Sequence, residues 1–576
     1  MRWDDSGIRF ARPIRWLLAL YGSTPIRCTV GNLASAPKTW VGGPLRPQPK
    51  AVRSVQVYFQ ILKEALIILD QEKRRTEIER HVAMKARQFN AETAPETISH
   101  GLLDEVTYLV ERPDSLRGRF DSKYLQLPRE VLLASMAKYQ RLFSIEGSGK
   151  LIPQFVAILE GPPGKPAAVC KVIERILDAR LADSLMFWEE DRKRLPLDRM
   201  ARALTGVTFH EQLGSMADKS NRLCELSPVL KDAWGLSPEE YKHLQRACEL
   251  AKADLVSSMV KEFPTLQGVV GKYYAKASKE PRAVAEAIEE HYLPIGDRLP
   301  KTLLGSALAI LDKFDTLASY CSIGIMPTGD QDPFGLRRAA QGIVEVAWKV
   351  HRPLPINQLW QLWTHATASL SEKTDKYNIR GKLYLDQRLY TFAWPAPAPS
   401  PDFIDAVLAS NSSDDLVDAM DRIQTLQRLA GDPGLLKAAK VIERTGNILR
   451  KTGSETVLNL TKGVRPRTPY MSEVDPSLLT EATERTLWDL YSSKKDDVER
   501  LTQQKSYAEA TRLFGDVFYQ PLHDFFDQVM VNVPDETLRQ NRLALMQAIN
   551  TLYTDRIADL SKLTVLQHHQ REESPA

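Results

Sequence analysis

The chain has 576 residues, with 77 Lys and Arg against 73 Asp and Glu and a formal net charge of +4. That length exceeds a single hydrophobic core and predicts three to five domains, and the near-balance of charge excludes nucleic-acid binding through the overall field, leaving only local basic clusters for it. A hydrophobic fraction of 43% and a charged fraction of 26% are those of a globular protein in water, five cysteines without a C-x-x-C pair predict reduced thiols and a cytoplasmic location, and no stretch is apolar enough for a membrane helix.

Residues 1–165 mix strand and helix signals. Residues 15–21 (RWLLALY) read as a strand, 52–69 have helical periodicity, and a charged helix follows at 71–88. Residues 102–110 (LLDEVTYLV) are apolar at helical spacing, and Pro128 opens a helix over 129–141. Gly147-Ser148-Gly149-Lys150 looks like half of a phosphate loop. It lacks the earlier glycine and carries Leu151 where a magnesium-binding Ser or Thr belongs, so it reads as a tight turn. Residues 151–160 (LIPQFVAILE) then read as a buried strand, ended by Gly161-Pro162-Pro163-Gly164.

From Pro166 the pattern is helical. One long amphipathic helix covers 166–194, and helices continue to about residue 350, with breaks expected at Ser227-Pro228, Ser237-Pro238 and Pro281. Within this region, residues 307–340 predict a helix–loop–helix corner. Asp332 is placed to cap the second helix, Pro333 fits its first turn, and Arg337 and Arg338 follow where guanidinium groups can meet phosphate or carboxylate. The Pro-rich run at 394–401 (WPAPAPSP) reads as a joint. The remainder is nearly all helix, broken at 431–433 and 463–469, and the tail from Gln567 reads as disordered. The expected division is 1–165, 166–350, 351–470 and 471–576.

Two further clusters bear on chemistry. Arg2, Trp3, Arg9, Phe10, Arg12, Arg15 and Trp16 crowd the N-terminus, and arginines beside aromatics can grip an RNA backbone and stack on unpaired bases. Spacing alone favours a strand with alternating core and solvent faces. Near the C-terminus, 522–533 (LHDFFDQVMVNV) places Phe525, Phe526, Val529 and Met530 at helical spacing, and Pro534-Asp535-Glu536 opens a helix that carries Arg539 and Arg542. Core packing explains its apolar residues. The HIGH, KMSKS and class II signatures of amino-acid activation are absent from the sequence.

Residues 210–315 resemble an HD-type helical phosphohydrolase domain, which holds divalent metal with a histidine, a His-Asp pair and a later aspartate. The matching positions are His210, Lys252-Ala253-Asp254 and Asp312. Ala253 stands where the middle histidine belongs, so the resemblance implies a helical scaffold with neither catalysis nor metal.

Longer motifs name a family. IRFARPIRWLLALYG, LLDEVTYLVERP, YLQLPREVLLASMAKYQRLF, RLADSLMFWEEDRKR, TFHEQLGSMADK, LAKADLVSSMVKEFPTLQGVVGKYYA, DKFDTL…SIGIMPTGDQDPFGLRRAA and DFFDQVMV…LRQNRLALM occur in that order. Together they resemble the β subunit of bacterial tetrameric glycyl-tRNA synthetase nearly end to end. The resemblance implies a mixed, mainly α chain. It would comprise an α+β tRNA-handling region (B3/B4-like), a helical HD-like domain, a helical body and a DALR-type anticodon-binding helical bundle. It implies an α2β2 enzyme whose α subunit carries ATP and Mg and forms the adenylate, with no catalytic residue and no cofactor in this chain. It implies tRNA(Gly) as the RNA partner, no membrane, and Arg539, Arg542, Arg337, Arg338, Arg12 and Arg15 as tRNA-binding residues. The alternatives are a degenerate HD-type metal phosphohydrolase or a non-charging tRNA-binding scaffold. Two departures from the family are expected to matter. Its EIGTEELP-like start before the MRW motif is missing, which implies truncation or a misassigned start, and 41–49 (VGGPLRPQP) lacks its Gly-His-Arg-Phe.

Overall fold

The computed structural model describes residues 5–10, 14–42, 47–95, 101–327, 332–367, 381–410, 414–452 and 473–563. The readings made for residues 2–3, Arg12, the 463–469 break and the tail lie outside them, as do parts of the 41–49 and 324–333 loops. The chain divides into two units, one of residues 1–195 with 257–269 and the other of 196–256 with 270–576.

The first unit is built on a four-stranded antiparallel sheet in the order Glu92–Thr93, Leu142–Gly147, Lys150–Glu160, Pro113–Arg119. Period-two alternation gives the sheet two buried faces. Phe143, Ile145 and Val156 pack with Ile78, Val82 and Ala86 of helix Gln71–Arg87 and with Leu103 and Val106 of helix Leu102–Leu109. The intervening Ser144 faces Met136 of helix Arg129–Gln140, and Ser135 of that helix meets Ser184 of the long helix Pro166–Lys193. The half phosphate loop is the two-residue turn of the central hairpin, where Ser148 and Gly149 both have positive φ, the geometry that hairpin twist demands.

Residues 15–21 do not form the expected strand. Leu20–Tyr21 pairs with Thr24–Pro25 in the first of three small hairpins, and Leu17 makes a single parallel bridge to Ser35. Gly22 turns the chain at φ +63°, and Trp16 and Tyr21 stay exposed, so no buried face rewards a longer strand.

The second unit is helical. Its centre is Leu303–Ser322, whose Leu308, Ile310, Leu311, Phe314 and Leu317 are all fully buried, so the helix is enclosed on every side. Helices Met216–Trp234, Pro238–Leu250, Arg282–Glu290 and Leu336–Val350 pack on it. Ser215 and Ser237 open the first two with capping boxes. The break expected at Ser227-Pro228 does not occur. Pro228 sits inside Met216–Trp234, and the carbonyl of Cys224, which loses its i+4 amide there, accepts a hydrogen bond from the Ser227 hydroxyl at 2.7 Å instead. Beyond the Pro-rich run come Pro401–Leu408, Leu416–Arg428, Pro433–Thr452, Ala482–Gln503, Tyr507–Gln528 and Glu536–Thr554. The last four pack as a bundle in which Pro433–Thr452 runs parallel to Tyr507–Gln528, with Lys437 beside Asp516 and Arg444 beside His523.

Candidate functional site

The C-terminal bundle carries two arginines singled out by sequence, and they have opposite fates. Asp535 caps helix Glu536–Thr554 through the amides of Thr537 and Leu538. Arg539, one turn in, is partly exposed and pairs with Glu536 of the same turn. Arg542 is only 4% exposed. Its Nε donates to the fully buried Glu484 of helix Ala482–Gln503, and its Nη1 donates to the Met530 carbonyl at 2.7 Å. The expectation that Arg542 grips RNA is therefore corrected: its guanidinium ties two helices to the preceding loop. The apolar reading of that loop also changes. The helix stops at Gln528, Val529 is extended and buried, and Met530 is 73% exposed.

Helix Pro433–Thr452 supplies a basic strip that sequence reasoning passed over. Lys437, Lys440 and Arg444 follow at i, i+3 and i+7 along one helix face, and Arg450 lies further on, on another face. Lys437 meets Asp516 at 2.7 Å, Arg444 reaches His523 Nδ1 at 2.8 Å and lies over the Phe526 ring, and the exposed Arg450 bonds Asn447. The i, i+3, i+7 recurrence of cations was the available signal.

At the corner, Asp332 does cap the second helix, accepting from Leu336 N at 2.8 Å and Arg337 N at 3.0 Å. The helix itself begins at Leu336, so Pro333 lies in the preceding turn rather than in the first helical one. Phe334 stacks on Tyr320, with ring centroids 4.3 Å apart, and His210 sets its edge against both. Arg338 is exposed, and Arg337 is half-buried beside Tyr384. In the first unit Arg15 is exposed next to the Trp16–Trp40 pair, with Lys38 over the Trp40 ring.

The three positions matched to a metal centre do not assemble as one. His210 belongs to the aromatic corner. Asp254 and Asp312 are buried, and the charges of both act on Lys252. Lys252 Nζ is 3.0 Å from Asp312 Oδ2 and 2.9 Å from His291 Nε2, and Lys219 Nζ is 3.2 Å from Asp312 Oδ1 and 3.0 Å from Asp315 Oδ2. Arg222 completes the pairing of Asp315 through Nε at 2.6 Å. Burial pushes the Asp312 carboxyl up, yet the ammonium groups of Lys219 and Lys252 outweigh it and hold the acid well below the usual carboxylate range. Burial lowers Lys252 against the pull of Asp312, and burial together with Lys252 keeps His291 neutral, far below its ordinary value. Among the described residues no group of three or more His, Cys, Asp or Glu side chains is arranged to hold a metal ion. His291 was missed because it stands outside the expected His-Asp spacing.

The comparisons with known proteins agree with one another. A family described as Glycyl-tRNA synthetase beta subunit matches residues 1–409. The chain is 36% identical over 572 residues to the glycine–tRNA ligase beta subunit of Moorella thermoacetica, a match spanning 98% of this chain and 79% of that protein. The corresponding subunit of Bacillus subtilis is 33% identical over 552 residues, 95% of this chain and 76% of its own length. That of Clostridioides difficile is 36% identical over 569 residues, 98% and 78%.

Proposed function

The chain belongs to the glycyl-tRNA synthetase β-subunit family, and from that premise we propose that it grips tRNA(Gly) while a separate α subunit joins glycine to it. Its function is that of the β subunit of a glycine–tRNA ligase, in the aminoacylation that serves protein synthesis. The observation that carries this is the 36% identity sustained over 98% of the chain. In the proposed α2β2 enzyme, ATP and Mg sit in α, and this chain contributes neither a nucleophile nor a general base.

The RNA contacts proposed here are phosphate contacts by accessible cations. Arg539, Arg450 and the 437–444 strip lie in the C-terminal bundle, which we read as DALR-type, and Arg338 lies on the corner. Arg15, with Arg12 beside it in sequence, belongs to the N-terminal region, read as B3/B4-like. Residues 210–315, read as HD-like, act as a scaffold, because Asp312 already has its cations in Lys219 and Lys252.

The test is a charging assay. The chain and its α subunit, co-expressed and purified together, are expected to charge tRNA(Gly) with labelled glycine. The chain alone is expected to give no glycine-dependent ATP–pyrophosphate exchange. Exchange by the chain alone would overturn the division of labour, and a co-purified pair that binds tRNA(Gly) without charging it would leave only a scaffold.

A further inference from the structure

We propose that the Lys252 ammonium occupies a divalent-cation position, so that His291 and Asp312 serve a built-in cation in place of a metal. A metal does not fit the residues as they stand, because a lysine nitrogen already stands where it would bind.

His291 has the arrangement of a metal-ligating imidazole. Its Nδ1 lies 2.7 Å from the Ile288 carbonyl, which can only accept, so the proton is on Nδ1 and the Nε2 lone pair points away. That lone pair meets Lys252 Nζ at 2.9 Å. The same nitrogen takes Asp312 Oδ2 at 3.0 Å and lies over the Tyr292 ring at 4.1 Å. An imidazole lone pair, a carboxylate oxygen and an aromatic face thus converge on one point, and the point holds a positive nitrogen. The ligand distances are those of N–H hydrogen bonds, about 3 Å, rather than the roughly 2.0–2.2 Å of a transition-metal bond. Asp254, two residues after Lys252, is fully buried, and its charge acts on both Lys252 and Tyr292.

The substitution changes what the centre can do. A divalent ion could not enter beside Lys252 without two like charges lying within bonding distance in a dry interior. A lysine, unlike an ion, is tethered. It fastens the end of helix Pro238–Leu250 to the end of Arg282–Glu290 and the middle of Leu303–Ser322, while Lys219 extends the clasp to Met216–Trp234. The unit keeps the cross-link of a metal centre without depending on metal supply or exposing a Lewis acid.

The test uses the full chain with Lys252→Ala and with Lys252→Leu, followed by thermal unfolding with and without Co(II), Mn(II) or Zn(II). Both variants should melt at least 5–10 °C below the parent. Added cation should raise the melting point of Lys252→Ala saturably and leave the parent unmoved. Lys252→Leu fills the space and should gain nothing, and His291→Ala on the Lys252→Ala background should remove the gain. If Lys252→Ala fails to fold without metal, its soluble yield in medium supplemented with Co(II) is the reading, and recovery of cobalt-loaded protein is the expected result. Absence of rescue by all three ions in both formats overturns the proposal. So does one equivalent of metal in the parent protein that is lost on His291→Ala.

Discussion

Arg539 and Arg542 stand three residues apart on one helix, yet one surface-facing turn separates two roles. Arg542 and Glu484 are an ion pair with both members buried. Removing one partner leaves a charge stranded in the interior, so Arg542→Ala is expected to destabilise the chain by about 3–5 kcal/mol, read as a lower urea midpoint. Arg539→Ala breaks an exposed pair within one turn and should cost no more than about 0.5–1 kcal/mol. A third residue adds a pH test. Burial, opposed by Lys382, raises Asp386 to about 6. Its folded value lies above its unfolded one, so ionisation opposes the fold, and that cost appears as pH rises through about 4 to 6. Asp386→Asn should therefore be more stable than the parent at pH 7, by about 1–3 kcal/mol, and the gap should close as pH falls toward 4. Helix spacing in the sequence could place Arg542 on the helix but could not say that Glu484, 58 residues earlier, would claim it. Asp332 was legible as a cap because capping is local, whereas His291 and the two lysines around Asp312 were not, because their meeting depends on four helices.

At the scale of elements, the sequence reads best where a pattern is both long and local. Helices Gln71–Arg87, Leu102–Leu109, Arg129–Gln140 and Pro166–Lys193, and the strand Lys150–Glu160, fall within a residue or two of their periodicities. It reads worst where tertiary burial or a side-chain bond overrides propensity. Residues 15–21 are apolar enough for a strand but have no face to cover, and Pro228 fails to stop a helix because Ser227 bonds the orphaned carbonyl. Close approach of helices is equally hidden in sequence. Gly515 of Tyr507–Gln528 lets Pro433–Thr452 come so near that an added Cβ would stand 2.3 Å from the Gly434 carbonyl and 2.9 Å from the Ala438 amide nitrogen. Backbone cannot rotate aside as a side chain can. Gly515→Ala should force the two helices apart and cost at least about 1–3 kcal/mol, despite the better helix propensity of alanine. An unfolding midpoint equal to the parent's would mean that the bundle yields more easily than this packing implies.

For the whole molecule, charge decides how RNA must be held. With a net charge of only +4, the chain offers no broad attractive field, so affinity for tRNA(Gly) has to come from a few cations placed against phosphates. Each such contact releases condensed counterions, and the logarithm of the binding constant falls with the logarithm of salt by about 0.7–0.9 per phosphate neutralised. Arg450 is exposed and bonds Asn447, and Arg539 is partly exposed and pairs with Glu536, each within its own helix, so neither ties helices together as Arg542 does. Replacing both with alanine in the α-containing enzyme should weaken tRNA(Gly) binding several-fold near 0.1 M salt. It should also flatten the salt dependence by roughly 1.5 units of slope, the loss of two contacts. Adenylate formation, which needs no RNA grip, should be unchanged, as should the helical circular dichroism. A double variant with the parent's affinity and the parent's slope would move the RNA away from this bundle. A variant with lower affinity but an unchanged slope would mean that the arginines order the bundle rather than touch phosphate.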